Sequence, residues 1–133
     1  MKEPSWIDER VALAIHARML TLHGGAPGLR DEGLLQSALA RPRQLFAYAE
    51  SPSLIAMAAA YIVGIVRNHP FVDGNKRTGF VVGVLFLETN GCRFMAPEED
   101  ATRAVLNLAA GLVDEEAFAT WLGNHVKSAR KKR

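Results

Sequence analysis

Cysteine is almost missing from this chain: Cys92 stands alone among 133 residues. Neither a disulfide framework nor a cysteine-based metal site can form within one copy. Long hydrophobic runs are missing too. Every apolar stretch breaks off well short of the ~20 residues needed to cross a bilayer, which argues against a membrane protein. No internal repeat and no Pro/Gly/Ser-rich linker divides the chain. One domain is therefore expected over residues 1–133, with a core of about 5–126 and a basic tail at 127–133. Excess charge is small, at +2. Arg130-Lys131-Lys132-Arg133 supplies four positive charges, and removing them from +2 leaves −2 for the body. The basic balance thus belongs to the tail, and the acidic body argues against a nucleic-acid-binding surface. Met1-Lys2-Glu3-Pro4 carries no readable secretory or lipidation signal, and with the lone cysteine this points to the cytoplasm.

Apolar residues recur at helical spacing. Ser5 reads as an N-cap followed by Asp8 and Glu9. The stripe Trp6, Ile7, Val11, Leu13, Ala14, Met19 and Leu22 predicts a helix from about Trp6 to Leu22, ended by His23-Gly24-Gly25. Met1 to Pro4 should be loose, and His16 reads as a structural histidine. Asp31 caps a short second helix, which Pro42 should stop near Leu39 or Ala40. Ser53 caps a third, from Leu54 to about Arg67 or Asn68, apolar nearly all round and therefore buried. A fourth runs from Lys76 to about Thr89; its β-branched content would permit a strand, but its length and the Asn90-Gly91 cap favour a helix. Cys92 to Ala96 is short and extended. Pro97-Glu98-Glu99-Asp100 starts a helix to about Ala110, and Asp114 begins a last one through Phe118, Trp121, Leu122 and Val126. The pattern predicts an all-α bundle of about six helices.

Between the two most apolar segments lies His69-Pro70-Phe71-Val72-Asp73-Gly74-Asn75-Lys76-Arg77-Thr78. A polar decapeptide fills a core poorly but holds a reactive loop on a rigid base well. The first N–H groups of a helix have no internal partner, and the helix dipole favours an anion there. Gly74 lets backbone approach a ligand closely, and Asn75 suits an N-cap. Lys76 and Arg77 add positive charge, and Arg77 can fork onto two phosphate oxygens. Asp73 beside such an anion site suggests Mg²⁺ bridging carboxylate and phosphate. His69 is the natural general base near neutral pH. Base, carboxylate and anion site together suggest phosphoryl or nucleotidyl transfer to a hydroxyl. The bland alternative is a well-capped helix start with solvated cations and a satisfied loop histidine.

This stretch resembles the signature of the Fic/Doc family, H-x-F-x-[D/E]-[G/A]-N-[G/K]-R. All its specified positions are met, by His69, Phe71, Asp73, Gly74, Asn75, Lys76 and Arg77. His23-Gly24-Gly25-Ala26-Pro27-Gly28-Leu29-Arg30-Asp31 and Asn75-Lys76-Arg77-Thr78 also resemble the death-on-curing (Doc) branch of toxin–antitoxin systems. The resemblance spans roughly Ile7 to Val126. It implies a compact helical domain with the motif loop between two buried central helices. It also implies that His69 deprotonates a target hydroxyl, that Asp73 holds Mg²⁺, and that Gly74, Asn75, Lys76 and Arg77 bind the phosphates of ATP. Phe71 would be the buried anchor. The segment Arg41 to Glu50 would be the flap that docks the target, with Phe46 and Tyr48 either exposed contacts on it or packed in the core.

Two positions separate the branches. AMP-transferring Fic proteins usually carry Gly where this chain has Lys76, and a second Arg where it has Phe80. Both departures are similar to Doc, which implies transfer of the γ-phosphate of ATP to a Ser/Thr hydroxyl of a translation factor such as elongation factor Tu. AMP transfer and a non-catalytic nucleotide-binding module are the alternatives; retention of His69 argues against the second. The self-inhibitory pattern [S/T]-x-x-x-E-[G/N] comes nearest at Ser5 to Glu9, but Arg10 breaks it. The resemblance therefore implies control by a separate antitoxin chain.

Overall fold

A computed structural model describes residues 1–128. Among them are six helices: α1 (Glu9–His23), α2 (Glu32–Tyr48), α3 (Leu54–Asn68), α4 (Asn75–Thr89), α5 (Glu98–Ala109) and α6 (Glu115–Gly123). Two short strands, β1 (Cys92–Phe94) and β2 (Val126–Ser128), pair antiparallel, with Cys92 opposite Ser128 and Phe94 opposite Val126. The fold is all-α, as its apolar periodicity predicts. No helix among the described residues is long and apolar enough to cross a membrane.

α3 is the axis. Every residue from Met57 to Val66 is buried, and α2, α4 and α6 pack around it. The sequence makes this possible by placing small residues at the crossings. A Cβ on Gly64 would lie 3.1 Å from Ala38 of α2. One on Gly83 would collide with the Ile62 side chain and sit 3.0 Å from the Ala58 carbonyl oxygen. The backbones of α3 and α4 therefore approach closely, and the motif loop joining them inherits a rigid seat. Tyr61, Phe86, Phe118 and Leu122 fill the core around the axis. Each large apolar side chain buried this way contributes about 1.5–3 kcal/mol.

Several local expectations are corrected. Ser5 does not cap α1; the helix starts at Glu9, with the Asp8 carboxylate accepting from the Val11 N–H. Residues 5–7 lie outside the helix and are held by tertiary contacts instead. The Asn90 side-chain amide grips the Ser5 backbone (N to Oδ1 2.8 Å, Nδ2 to O 2.9 Å), and the Ile7 N–H donates to the Tyr61 hydroxyl at 2.9 Å. Pro4 is buried and the Glu3 carboxylate accepts from the Trp6 ring N–H at 2.8 Å, so the expected loose segment is anchored at its second half.

Pro42 does not end α2; it is buried inside a helix that continues to Tyr48. An internal proline costs ~3 kcal/mol. Offsetting contacts surround it: Arg41 donates to the Ala60 carbonyl at 3.0 Å and to Glu115 at 2.6 Å, and Phe46 meets Trp6 edge-on. The expected flap at Arg41 to Glu50 is thus helical as far as Tyr48, a residue 86% exposed.

Asn75 is not the cap of α4; Gly74 takes that position. At the far end, α6 stops at Gly123, and Val126 belongs to β2 with Lys127 and Ser128. Strand pairing with β1 therefore claims the first residues assigned to the tail. The basic run Arg130 to Arg133 lies outside the described residues.

Candidate functional site

α3 ends where its last carbonyls meet a clamp from the chain before α2. His69 is its C-cap and sits in the left-handed region, with φ 50° and ψ 55°. It is the single non-glycine with positive φ among the described residues. Such a conformation costs about 1–3 kcal/mol and persists where surroundings impose it. Here the Arg30 guanidinium meets it, with Nε donating to the His69 carbonyl at 2.6 Å and Nη2 to the Asn68 carbonyl at 2.9 Å. A cation on the last carbonyls also suits the negative end of the helix dipole. The loop is then zipped to the Gly28–Asp31 backbone. Arg30 N–H and Asp31 N–H donate to the Pro70 carbonyl (2.7 and 3.0 Å), and Val72 N–H donates to the Gly28 carbonyl (3.0 Å).

Phe71 points inward, 1% exposed, and stacks on the imidazole of His16 at 3.8 Å between ring centres. Asn75 closes the loop behind it. Its Oδ1 accepts from the Phe71 N–H and its Nδ2 donates to the Phe71 carbonyl, both at 2.9 Å. Phe71 is thus buried beneath the loop, and His16 is buried with it. The Asn75 side chain is spent on the loop.

Asp73 stands exposed at the mouth of the loop. Its carboxylate accepts from the Ala26 N–H (3.1 Å) and the Gly74 N–H (2.9 Å), while its carbonyl accepts from His16 Nε2 (2.8 Å). The Ala26 bond, then the Gly74 bond, and more weakly the charges of Lys76 and Arg77 hold this carboxyl below the ordinary aspartate range, against a smaller opposing effect of burial. Gly74 follows at φ 79° and caps α4 without a side-chain hydrogen bond. The first intrahelical bond of α4 is Thr78 N–H to the Gly74 carbonyl at 3.0 Å, so the N–H groups of Asn75, Lys76 and Arg77 precede it.

Asp73, Gly74, Asn75, Lys76 and Arg77 line one cavity of about 550 Å³. Its other walls are Met19 and His23 of α1, Phe80 and Val81 of α4, and Glu98, Ala101, Thr102, Val105 and Leu106 of α5. The phosphate-binding and metal candidates are thus brought together. His69 and Phe71 do not line the cavity; His69 is exposed at the other end of the loop, and Phe71 lies beneath it. Reasoning from sequence missed His23, Glu98 and Thr102. The signal for the α5 wall was available in the helical spacing of 98, 101, 102, 105 and 106, but nothing local said which face of α5 met the motif.

The donor set bears on a metal. Among the described residues no group of three or more His, Cys, Asp or Glu side chains could hold an ion. Asp73 is exposed, acidic, and accepts one N–H on each oxygen, which leaves lone pairs free. A hard cation held by one carboxylate, with water and phosphate oxygens completing its shell, fits these residues; a closed protein cage does not.

A model of the Fic/DOC family matches residues 6–87, more than half of the chain. The chain is 37% identical to the protein kinase doc of Escherichia phage P1 over 87 residues, which are 65% of this chain and 69% of that protein. It is 42% identical to the toxin Doc of Mycolicibacterium smegmatis (strain ATCC 700084 / mc(2)155) over 82 residues, 61% of this chain and 62% of that one.

Proposed function

Starting from the finding that the chain belongs to the Fic/DOC family, we propose that it is a Doc-like toxin that moves the γ-phosphate of ATP to a Ser or Thr hydroxyl of a target protein. The observation that carries this reading is the single cavity in which an ionised Asp73, the uncapped N-terminus of α4, Lys76 and Arg77 converge. Triphosphate has several negative oxygens, and this wall offers N–H groups, a helix dipole and two cations for them. The apolar remainder, with Phe80, Val105 and Leu106, suits the nucleoside.

In this reading His69 takes the proton of the target hydroxyl. The hydroxyl oxygen bonds to the γ-phosphorus, the bond from that phosphorus to the bridging oxygen breaks, and ADP leaves. His69 is exposed, so a protein-borne hydroxyl can reach it. Asp73 would hold Mg²⁺, which supplies charge neutralisation on the phosphates. Lys76 adds charge and bulk where a glycine would leave room, which favours an orientation that presents the γ-phosphate. The target is expected to be a translation factor such as elongation factor Tu, and an antitoxin chain is the expected inhibitor.

Intact-mass analysis of a modified target, with ATP labelled separately on its γ- and α-phosphates, tests the reaction. Gain of one phosphate with γ-label and release of ADP supports it. Gain of AMP with α-label overturns the choice of phosphate and selects the adenylylating alternative. Lys76→Gly should depress phosphate transfer.

A further inference from the structure

We propose that the segment from α1 to the start of α2 carries two positioning residues with separate duties: His16 sets the Asp73 carboxylate, and Arg30 sets the backbone of His69. The inference rests on the functional reading above, which gives Asp73 and His69 their roles.

The two contacts are independent in space and chemistry. His16 is 6% exposed, and its Nε2 lies 2.8 Å from the Asp73 carbonyl oxygen. That oxygen only accepts, so Nε2 carries the proton. The same imidazole is stacked nearly parallel on Phe71, with an interplanar angle of 8°. Ring and N–H together fix both the floor of the loop and the peptide of Asp73. The carboxylate is then placed where the Ala26 and Gly74 N–H groups reach it. A Cβ on Gly25 would lie 2.9 Å from Asp73 Oδ2, so the loop beside the carboxylate leaves no slack.

Arg30 acts at the opposite end. Its guanidinium holds the carbonyls of Asn68 and His69, and its own N–H reaches the Pro70 carbonyl. Left-handed backbone at a residue with a Cβ is otherwise disfavoured. Without the guanidinium, His69 has less to keep it in that region, and the imidazole moves with its backbone. Partners of this indirect kind are worth about 10–100-fold in metal affinity or activity. A base misplaced by about 1 Å costs on the order of 10²-fold in rate.

The crossed behaviour of two variants tests the proposal. His16→Phe keeps a flat ring on Phe71 but loses the N–H, and His16→Gln restores a donor near the same place. Arg30→Met keeps the aliphatic stem and loses the fork. Calorimetry measures ATP binding with and without Mg²⁺, and single-turnover labelling of elongation factor Tu measures transfer at saturating Mg²⁺ and ATP. His16→Phe should lose about tenfold of the Mg²⁺-dependent ATP affinity with Mg²⁺-free affinity unchanged, and His16→Gln should recover most of it. Arg30→Met should bind Mg²⁺ and ATP as the wild type does and transfer at least about tenfold more slowly.

A ligand-free readout by NMR accompanies these. His16→Phe should speed amide exchange at Ala26 and Gly74, and Arg30→Met should shift the backbone resonances of Asn68 and His69, each without the other's effect. Equal losses of binding and transfer in both variants, or a His16→Gln no better than His16→Phe, would assign both residues to general stability and overturn the proposal. Wild-type protein that shows no Mg²⁺-dependent ATP binding sinks the functional reading itself. In that case the crossed NMR pattern still decides which residue holds which end of the loop.

Discussion

Asn75→Ala separates a loop clamp from a phosphate ligand. The native amide satisfies the N–H and the carbonyl of Phe71, a residue with 1% exposure. Truncation leaves both buried groups unpaired, at about 1–3 kcal/mol each. Alanine recovers at most ~0.7 kcal/mol through its better helix propensity in the first turn of α4. Partial access of water to the emptied space lowers the loss further, so a net destabilisation of about 2–4 kcal/mol is expected. That is a large share of the ~5–15 kcal/mol that holds a typical domain together. Urea unfolding followed by circular dichroism, without nucleotide, measures it: the midpoint should fall with the slope unchanged. Asn75→Asp retains an acceptor for the Phe71 N–H and should fall between the two. A loss below ~0.5 kcal/mol without ligand, together with abolished ATP binding, would show that the amide serves the phosphates and that the clamp carries little energy.

Three further outcomes are expected. His69→Ala should remain folded and bind ATP, yet transfer phosphate more slowly by a factor on the order of 10²–10⁴ in single-turnover labelling; transfer at the normal rate removes the assignment of the base. Asp73 has a lowered pKa in the folded chain, so its ionised form favours folding above the unfolded pKa, and that contribution fades as pH falls through the folded value. A carboxyl-carbon NMR titration should therefore place its midpoint below the ordinary aspartate range, and a midpoint at or above it contradicts the paired N–H donors. Gly25→Ala introduces a Cβ against Asp73 Oδ2 at a backbone φ of 122°, which side chains rarely adopt. Displacing the carboxylate from the Ala26 N–H should raise the Asp73 midpoint and weaken Mg²⁺-dependent ATP binding, and an unchanged midpoint would mean the loop yields instead.

Much of the fold was legible because its signals are local. The caps at Asp31, Ser53 and Asp114 are side chains bonding N–H groups three residues away, so the starts of α2, α3 and α6 follow from sequence. The all-round apolar composition of α3 says that it is buried before any neighbour is known. The apolar segments on either side likewise place the motif His69 to Arg77 between two core helices.

The expectations that failed were those settled at long range. Ser5 is a good cap by type, but Asn90 holds its backbone elsewhere. Pro42 reads as a stop, but packing against α3 and the Arg41 bonds carry α2 past it. Asn75 reads as a cap, but the buried Phe71 peptide has no other partner and takes its side chain.

Sequence alone therefore determined the helices, the buried axis and the chemical types gathered in the motif, because periodicity, capping and charge act over a few residues. Tertiary structure decided which α5 face walls the cavity, that His16 and Arg30 hold opposite ends of the loop, and that His69 adopts a left-handed backbone. The His16 and Arg30 contacts join residues 57 and 39 positions apart, the α5 wall meets a motif that lies several helical turns earlier in the chain, and local pattern carries no information about such pairs.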